Sequence, residues 1–269
     1  MVRKMAKINE PKLIEIKKAK KVIFAGDTHG DLEASQKVIK DYLKPGNKIV
    51  FLGDYVDRGP KSKENLDFLL ETKIKNPGQV YLLQGNHEGH HILKFSPADF
   101  WENLNKADYQ KYCSIVEKFL LVAVTNNIIA LHGALPDVKS LGEINKIKLR
   151  SEEWQQIIWG DFSDEPGEDL CIDPFTGRPQ FGRDYFFKLM KRFQKKVLIR
   201  SHQPDAPLFM FAEANASSHA SAKASAFNDR CLTIFTSSAY ARERTIAIAD
   251  FKKPIKTAKD LEIINVRRS

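Results

Sequence analysis

Apolar residues recur along the first ninety positions in a repeating order. Short apolar runs at Val22–Ala25, Lys48–Leu52 and Gln79–Leu83 alternate with two longer segments of helical spacing. Such runs, bounded by glycine, asparagine and proline, predict strands. Asp31 stands where a helix N-cap belongs, and Leu32, Val38, Ile39 and Tyr42 fall partly on one face of a helix running to about Leu43. Pro45-Gly46-Asn47 ends it. Ser62 is the predicted cap of a second helix carrying Leu66, Leu69 and Leu70, which stops before Asn76-Pro77-Gly78. This β-α-β-α-β order predicts parallel strands joined by right-handed crossovers. Upstream, Leu13–Ile16 reads as a strand joined to Val22–Ala25 in a hairpin by a lysine-rich turn.

Further along, Phe95–Lys118 reads as helical, and Leu121–Thr125 and Ile128–His132 as a hairpin across Asn126-Asn127. The second half is richer in strands: Val197–Arg200, Leu208–Ala212, Cys231–Phe235, Thr245–Asp250 and Glu262–Val266, with a helix over Asp184–Phe193. Ala214–Ala226 is biased to alanine and serine and reads as part of a loop insertion over about residues 213–229. No internal repeat is present. The fold class expected is α/β, in one domain spanning residues 1–269.

The polar residues that follow the strands carry the chemistry. Gly26-Asp27-Thr28-His29-Gly30, Gly53-Asp54-Tyr55-Val56-Asp57-Arg58-Gly59 and Gly85-Asn86-His87-Glu88 each follow an apolar run. In parallel sheets ligands gather outside the carboxyl ends of the strands. Asp27 and His29 are two residues apart and can point the same way, which makes half of a metal site. Asp54 could bridge two cations, and Asn86 offers a neutral oxygen. His132, in Leu131-His132-Gly133, and His202 each follow an apolar run and complete the candidate donors. Arg58 could clamp phosphoryl oxygens. Asp57 could orient His87 and make it a general acid. His90 and His91 lack a comparable setting and read as surface or helix-start residues, and His219 lies in the biased loop.

The net charge of +9 is unevenly placed. Residues 1–21 carry +6 and residues 251–269 carry +4, leaving −1 in the body that holds the motifs. With no interleaving of aromatic and basic residues, nucleic acid is not the favoured partner. No apolar run approaches the roughly 18 residues that span a bilayer, and residues 1–21 lack the apolar core of a signal peptide. Cys113, Cys171 and Cys231 form no CxxC pair and read as free thiols. A cytoplasmic protein with no membrane partner is expected.

Taken in order, these motifs resemble those of the phosphoprotein phosphatase family of serine/threonine phosphatases, within the calcineurin-like metallophosphoesterase superfamily. Trp159-Gly160-Asp161, Arg200-Ser201-His202-Gln203 and Leu232–Tyr240 extend the resemblance over about residues 13–250. It implies two mixed β-sheets packed as a sandwich flanked by helices. It implies two divalent cations, manganese first with iron or zinc as alternatives. Asp27, His29 and Asp54 would hold one, and Asp54, Asn86, His132 and His202 the other. It implies in-line attack on a phosphoserine or phosphothreonine monoester of a protein by a hydroxide shared between the cations. Arg58 would hold the phosphate, and His87, paired with Asp57, would protonate the leaving oxygen. Tyr240 would lie at the mouth of the site. The second phosphate-binding arginine is assigned to Arg178, with Arg183 as the alternative, because the spacing to Phe181-Gly182 is short. Two departures are evident: Ala134 follows His132-Gly133 where a second glycine is usual, and the Ser-Ala-Pro-Asn-Tyr run appears as Thr236–Tyr240. The family's regulatory subunits are not implied. The nearest rival, a symmetrical dinucleoside tetraphosphate hydrolase, shares the first motifs; Glu88 after His87 and the Arg200–Gln203 run favour the protein phosphatases.

Overall fold

The computed structural model describes residues 11–206, 208–210 and 230–267. In chain order the strands are β1 (Leu13–Glu15), β2 (Lys21–Ala25), β3 (Lys48–Phe51), β4 (Val80–Leu82), β5 (Val122–Val124), β6 (Ile128–Ala130) and β7 (Asp161–Phe162). They continue with β8 (Asp169–Ile172), β9 (Pro179–Phe181), β10 (Val197–Arg200), β11 (Phe209–Met210), β12 (Cys231–Thr233), β13 (Thr245–Asp250) and β14 (Glu262–Asn265). The helices are α1 (Leu32–Tyr42), α2 (Ser62–Lys75), α3 (Asp99–Glu102), α4 (Lys106–Val116), α5 (Glu152–Trp159) and α6 (Arg183–Arg192).

The strands form two mixed sheets and a small third one. One sheet has the order β1-β5-β6-β10-β12-β11 and the other β14-β13-β2-β3-β4. β2, β3 and β4 are parallel, as the βαβαβ pattern requires. The period-two alternation of β2 separates two cores: Val22 and Phe24 face the other sheet, beside Val50, Ala130, Ile199 and Leu232. Ile23 and Ala25 face the helices, against Leu66, Leu69, Leu70 and Val116. On the far side Ile129, Leu131 and Leu198 pack on Trp154, Ile157 and Phe186 of α5 and α6. Helix, sheet, sheet and helix therefore stack in that order, the sandwich that the sequence implied.

Several expectations are corrected. β1 and β2 are not a hairpin. β1 pairs in parallel with β5, Leu13 opposite Val122, while β2 lies in the other sheet. Residues 16–20 carry the chain between sheets, and Ile16 buries its side chain in the core there. Ser62 is not a cap: Lys61 holds that position with no side-chain hydrogen bond, and Ser62 opens the helix with its hydroxyl on the Gly59 carbonyl. The segment Phe95–Lys118 is two helices, α3 and α4, because Asn105 starts α4 afresh by accepting the Asp108 N–H. The third sheet, β7-β9-β8, and helix α5, which buries Trp154, Ile157 and Ile158, add to the elements expected. Asp31, by contrast, caps α1 as expected, accepting the Ala34 N–H. The insertion over 213–229, including His219, lies outside the described residues.

Candidate dinuclear metal centre

The motifs converge because they occupy one pole of the sandwich. Asp27 and His29 follow β2, Asp54 follows β3, Asn86 and His87 follow β4, His132 follows β6 and His202 follows β10. Backbone bonds tie these turns together. The N–H groups of Thr28 and His29 donate to the Asp54 carbonyl at 3.0 and 2.9 Å. Asp27 N–H donates to the Ser201 hydroxyl at 2.9 Å, and that hydroxyl donates to the Ile234 carbonyl, joining the two sheets. The approach is close: a Cβ on Gly26 would lie 2.0 Å from the Ile234 carbonyl oxygen.

Tight turns here leave unusual backbone. His29, Asp54, Asp57, Arg58 and His202 all have φ between 40° and 71°. Each such non-glycine residue costs on the order of 1–3 kcal/mol and persists only where its surroundings fix it. Glu88 supplies much of that fixing. Its carboxylate is buried and accepts the N–H groups of Asp54 at 2.7 Å, Gly85 at 3.1 Å and Tyr55 at 2.9 Å. Burial and the Asp54 charge push the Glu88 carboxyl up to about 7, against the pull of those amides.

Three histidines share one habit. His29 Nδ1 bonds the Val56 carbonyl at 2.8 Å, His132 Nδ1 the Leu52 carbonyl at 3.0 Å and His202 Nε2 the Trp159 carbonyl at 3.2 Å. The other nitrogen of each ring turns inward. His29 Nε2 lies 3.6 Å from Asp54 and 3.7 Å from Asp27, His132 Nε2 lies 3.4 Å from Asp54, and His202 Nδ1 lies 2.9 Å from Asn86 Oδ1. Fixing one ring nitrogen on a carbonyl so that the other offers its lone pair is how metal-ligating histidines are oriented. Asp54, His132 and His202 form one group able to hold a cation, and His29, Asp54 and His87 another, both fully buried and sharing Asp54. Asp27 sits beside both, with its two carboxylate oxygens buried and without a hydrogen-bond partner. Burial and the Asp54 charge push its carboxyl up to about 6. Burial alone would lower His132, but Asp54 and Asp27 raise it to about 9. A buried carboxylate with no donor, Asp27, beside Asp54 and imidazoles of fixed orientation, fits divalent cations.

His87 is distinguished by its partner. Its Nδ1 lies 2.5 Å from Asp57 Oδ2, and both groups are buried. Burial lowers its proton affinity, but the Asp54 charge and the Asp57 hydrogen bond outweigh that and raise it. Asp57 is also fixed, accepting the Phe100 N–H at 2.7 Å. It is not the local surface partner of Arg58. Trp101 Nε1 donates to the His87 carbonyl at 2.7 Å, a support that no sequence pattern announced.

The rim is basic and aromatic. The Arg58 guanidinium is exposed and lies 5.4 Å from the centre of the Tyr240 ring, whose hydroxyl is 2.8 Å from His29 Nε2. Arg178 reaches Asp161 at 3.5 Å and lies over Trp159, and its charge helps burial lower His202. Arg183 instead opens α6, and its charge acts on Asp164. Of the two arginines, Arg178 is the one beside the donors. Ala134 is accommodated because the neighbour it approaches is Gly160, where a Cβ would lie 2.5 Å from the Ala134 methyl. His90 is corrected: it is 6% exposed and stacks on Trp101.

Residues 20–206 match the model of the calcineurin-like phosphoesterase family. The chain belongs to that family. Among curated proteins, this phosphoesterase is 30% identical over 198 residues to the serine/threonine-protein phosphatase 4 catalytic subunit of Kluyveromyces lactis, covering 68% of this chain and 62% of that protein. It is 29% identical over 196 residues to a probable serine/threonine-protein phosphatase of Encephalitozoon cuniculi, covering 68% of this chain and 42% of that protein. The matched region thus spans 42–62% of the length of these relatives. A solved structure of a protein serine/threonine phosphatase from Saccharomyces cerevisiae, described as similar to human phosphatase PP5, aligns with a TM-score of 0.74. It covers 100% of this chain and 87% of that one, at 19% identity, a likeness of fold.

Proposed function

We propose that this phosphoesterase hydrolyses phosphoserine and phosphothreonine monoesters in proteins, with residues 1–269 acting as one catalytic unit. The observation that carries the reading is the orientation of His29, His132 and His202, each anchored on a carbonyl and turned toward Asp54 or Asn86. Asp27, His29 and Asp54 would hold one divalent cation, and Asp54, Asn86, His132 and His202 the second. Mixed carboxylate, imidazole and amide donors suit manganese, iron or zinc better than calcium, and manganese is the metal we assign. When bound, such a pair supplies Lewis acidity toward phosphoryl oxygens and an activated water at neutral pH.

The remaining roles belong to the chain. Arg58 and Arg178 hold phosphoryl oxygens from two sides of the mouth, with Tyr240 between Arg58 and His29. His87 acts as an imidazolium, a form that the neighbouring Asp57 favours: Nδ1–H donates to Asp57, and the proton on Nε2 is the one delivered to the leaving serine or threonine oxygen. The names of the relatives support protein monoesters as the substrate class. No helix among the described residues is long and apolar enough to cross a membrane; a cytoplasmic location is part of this proposal.

The test compares turnover of a phosphothreonine peptide, p-nitrophenyl phosphate and diadenosine tetraphosphate with manganese present. Preference for the peptide supports the proposal; fast dinucleotide cleavage with little peptide turnover would overturn it. Metal analysis should give two ions per chain, and Asp54→Asn should lose both. Retention of one at full occupancy would remove Asp54 from its bridging role.

A further inference from the structure

The pole opposite the metal-ligand cluster collects lysines from separate stretches of chain. Lys20 precedes β2 and Lys21 opens it, Lys44 follows α1, and Lys252 and Lys253 follow β13. Strand register brings them together, since Asp250 at the end of β13 pairs with Lys21 at the start of β2. At about 3.3 Å per residue, this end of β2 lies roughly 20 Å from Asp27.

Two cavities open there. One, of about 620 Å³, is lined by Lys20, Lys21, Lys44 and Lys252 against Asp41 and Asp250. The other, of about 280 Å³, runs from the β5–β6 turn to Lys253 and shares Asp250 and Lys252 with the first. The local acids are partly spent: Asp41 pairs with Lys37 at 3.2 Å, and Asp250 accepts the Lys252 N–H. Lys21 pairs with Glu262 at 3.6 Å. Lys20, Lys44, Lys252 and Lys253 are exposed, and among the described residues none has a carboxylate within ion-pair distance. Between the lysines, Phe251 and Pro254 give the smaller cavity an apolar lining.

We propose that this joined pair of cavities is a docking groove for an acidic peptide segment of a protein partner. Free lysines on the walls would meet carboxylates, and the apolar lining would take intervening side chains of an extended chain. The form of the groove favours a peptide over single-stranded nucleic acid. The aromatic residues lining it, Tyr42 and Phe251, are half-buried, whereas nucleic-acid channels expose rings on which bases stack. A partner held there leaves the opposite pole open, so docking and hydrolysis are spatially independent.

The test measures binding of a fluorescein-labelled peptide of alternating glutamate and leucine by fluorescence anisotropy. A charge-reversal variant, K44E/K252E/K253E, is compared with K106E/K139E/K148E, which makes the same change of net charge elsewhere. The groove variant should bind about ten-fold more weakly or worse, the sum expected of three exposed pairs. The control should bind like the parent, and p-nitrophenyl phosphate turnover should be unchanged in both. Equal binding by parent and groove variant, or equal weakening in both variants, overturns the groove. Tighter binding of a single-stranded RNA oligonucleotide, lost in the groove variant alone, overturns the peptide assignment. The binding readout does not depend on which phosphoester the metal pole hydrolyses.

Discussion

His87 Nδ1 meets Asp57 Oδ2 at 2.5 Å inside the protein, and Asp57 is itself locked by the Phe100 N–H. The imidazole therefore has one free nitrogen and one direction in which to give a proton. Asp57→Asn keeps the shape and removes the charge. The Asp54 charge and the Asp57 carboxylate together raise His87 against burial, so losing the Asp57 share lowers it while Asp54 remains. The acid form then vanishes at lower pH. The alkaline limb of kcat on a phosphothreonine peptide should move to lower pH, and kcat should fall about 100-fold or more. Metal content should stay at the parent level, measured on the same sample.

Glu88 is predicted to act as a brace. A glutamine there presents an amide N–H₂ to backbone donors that now meet a carboxylate. Glu88→Gln should lower the stability of the metal-free protein by about 1–3 kcal/mol, read from urea unfolding. It should also weaken metal retention, since Asp54 depends on the brace for its backbone position.

Much of this arrangement was legible, and the reason is local. Each donor sits at a strand end beside a glycine or turn, so the apolar runs located them and the two-residue spacing of Asp27 and His29 gave their side. Glu88 could be seen as a motif letter, but its work could not, because its partners lie across a turn made by residues 53–55. Spacing put Arg178 ahead of Arg183 but kept Arg183 as an alternative, since the distinction depends on where a hairpin, β8–β9, folds back. The hairpin read into residues 13–25 failed because two apolar runs joined by a short link do not reveal that they enter different sheets. Trp101 and Arg244 gave no signal at all, as each acts on groups far away in sequence.

Arg244 illustrates the last point. Its guanidinium meets Asp31 at 2.8 Å, and Asp31 also accepts the Ser238 N–H at 2.9 Å. The pair thus links the start of α1 to the loop that carries Tyr240. Arg244→Met leaves a buried carboxylate without its cation and should cost about 3–5 kcal/mol in thermal or chemical unfolding. In the folded fraction KM for the peptide should rise, because Tyr240 loses its support.

Gly85 is predicted to be indispensable to metal content. A Cβ there would lie 2.2 Å from Asp54 Oδ1 and 2.5 Å from its nitrogen. Gly85→Ala should therefore displace Asp54 and reduce both ions together, measured by elemental mass spectrometry. Selective loss of one ion would contradict the shared role of Asp54.

The placement of β13 between β2 and β14 has a consequence for biosynthesis. β2, which leads into Asp27, gains its antiparallel neighbour only when residues 245–250 have been made. Until then the nascent sheet ends in a bare, apolar strand, open to pairing with other chains. The first half of the molecule holds most of the donors yet has no finished pole on which to set them. Premature termination anywhere before this strand should thus yield an aggregation-prone chain and not a weakened enzyme.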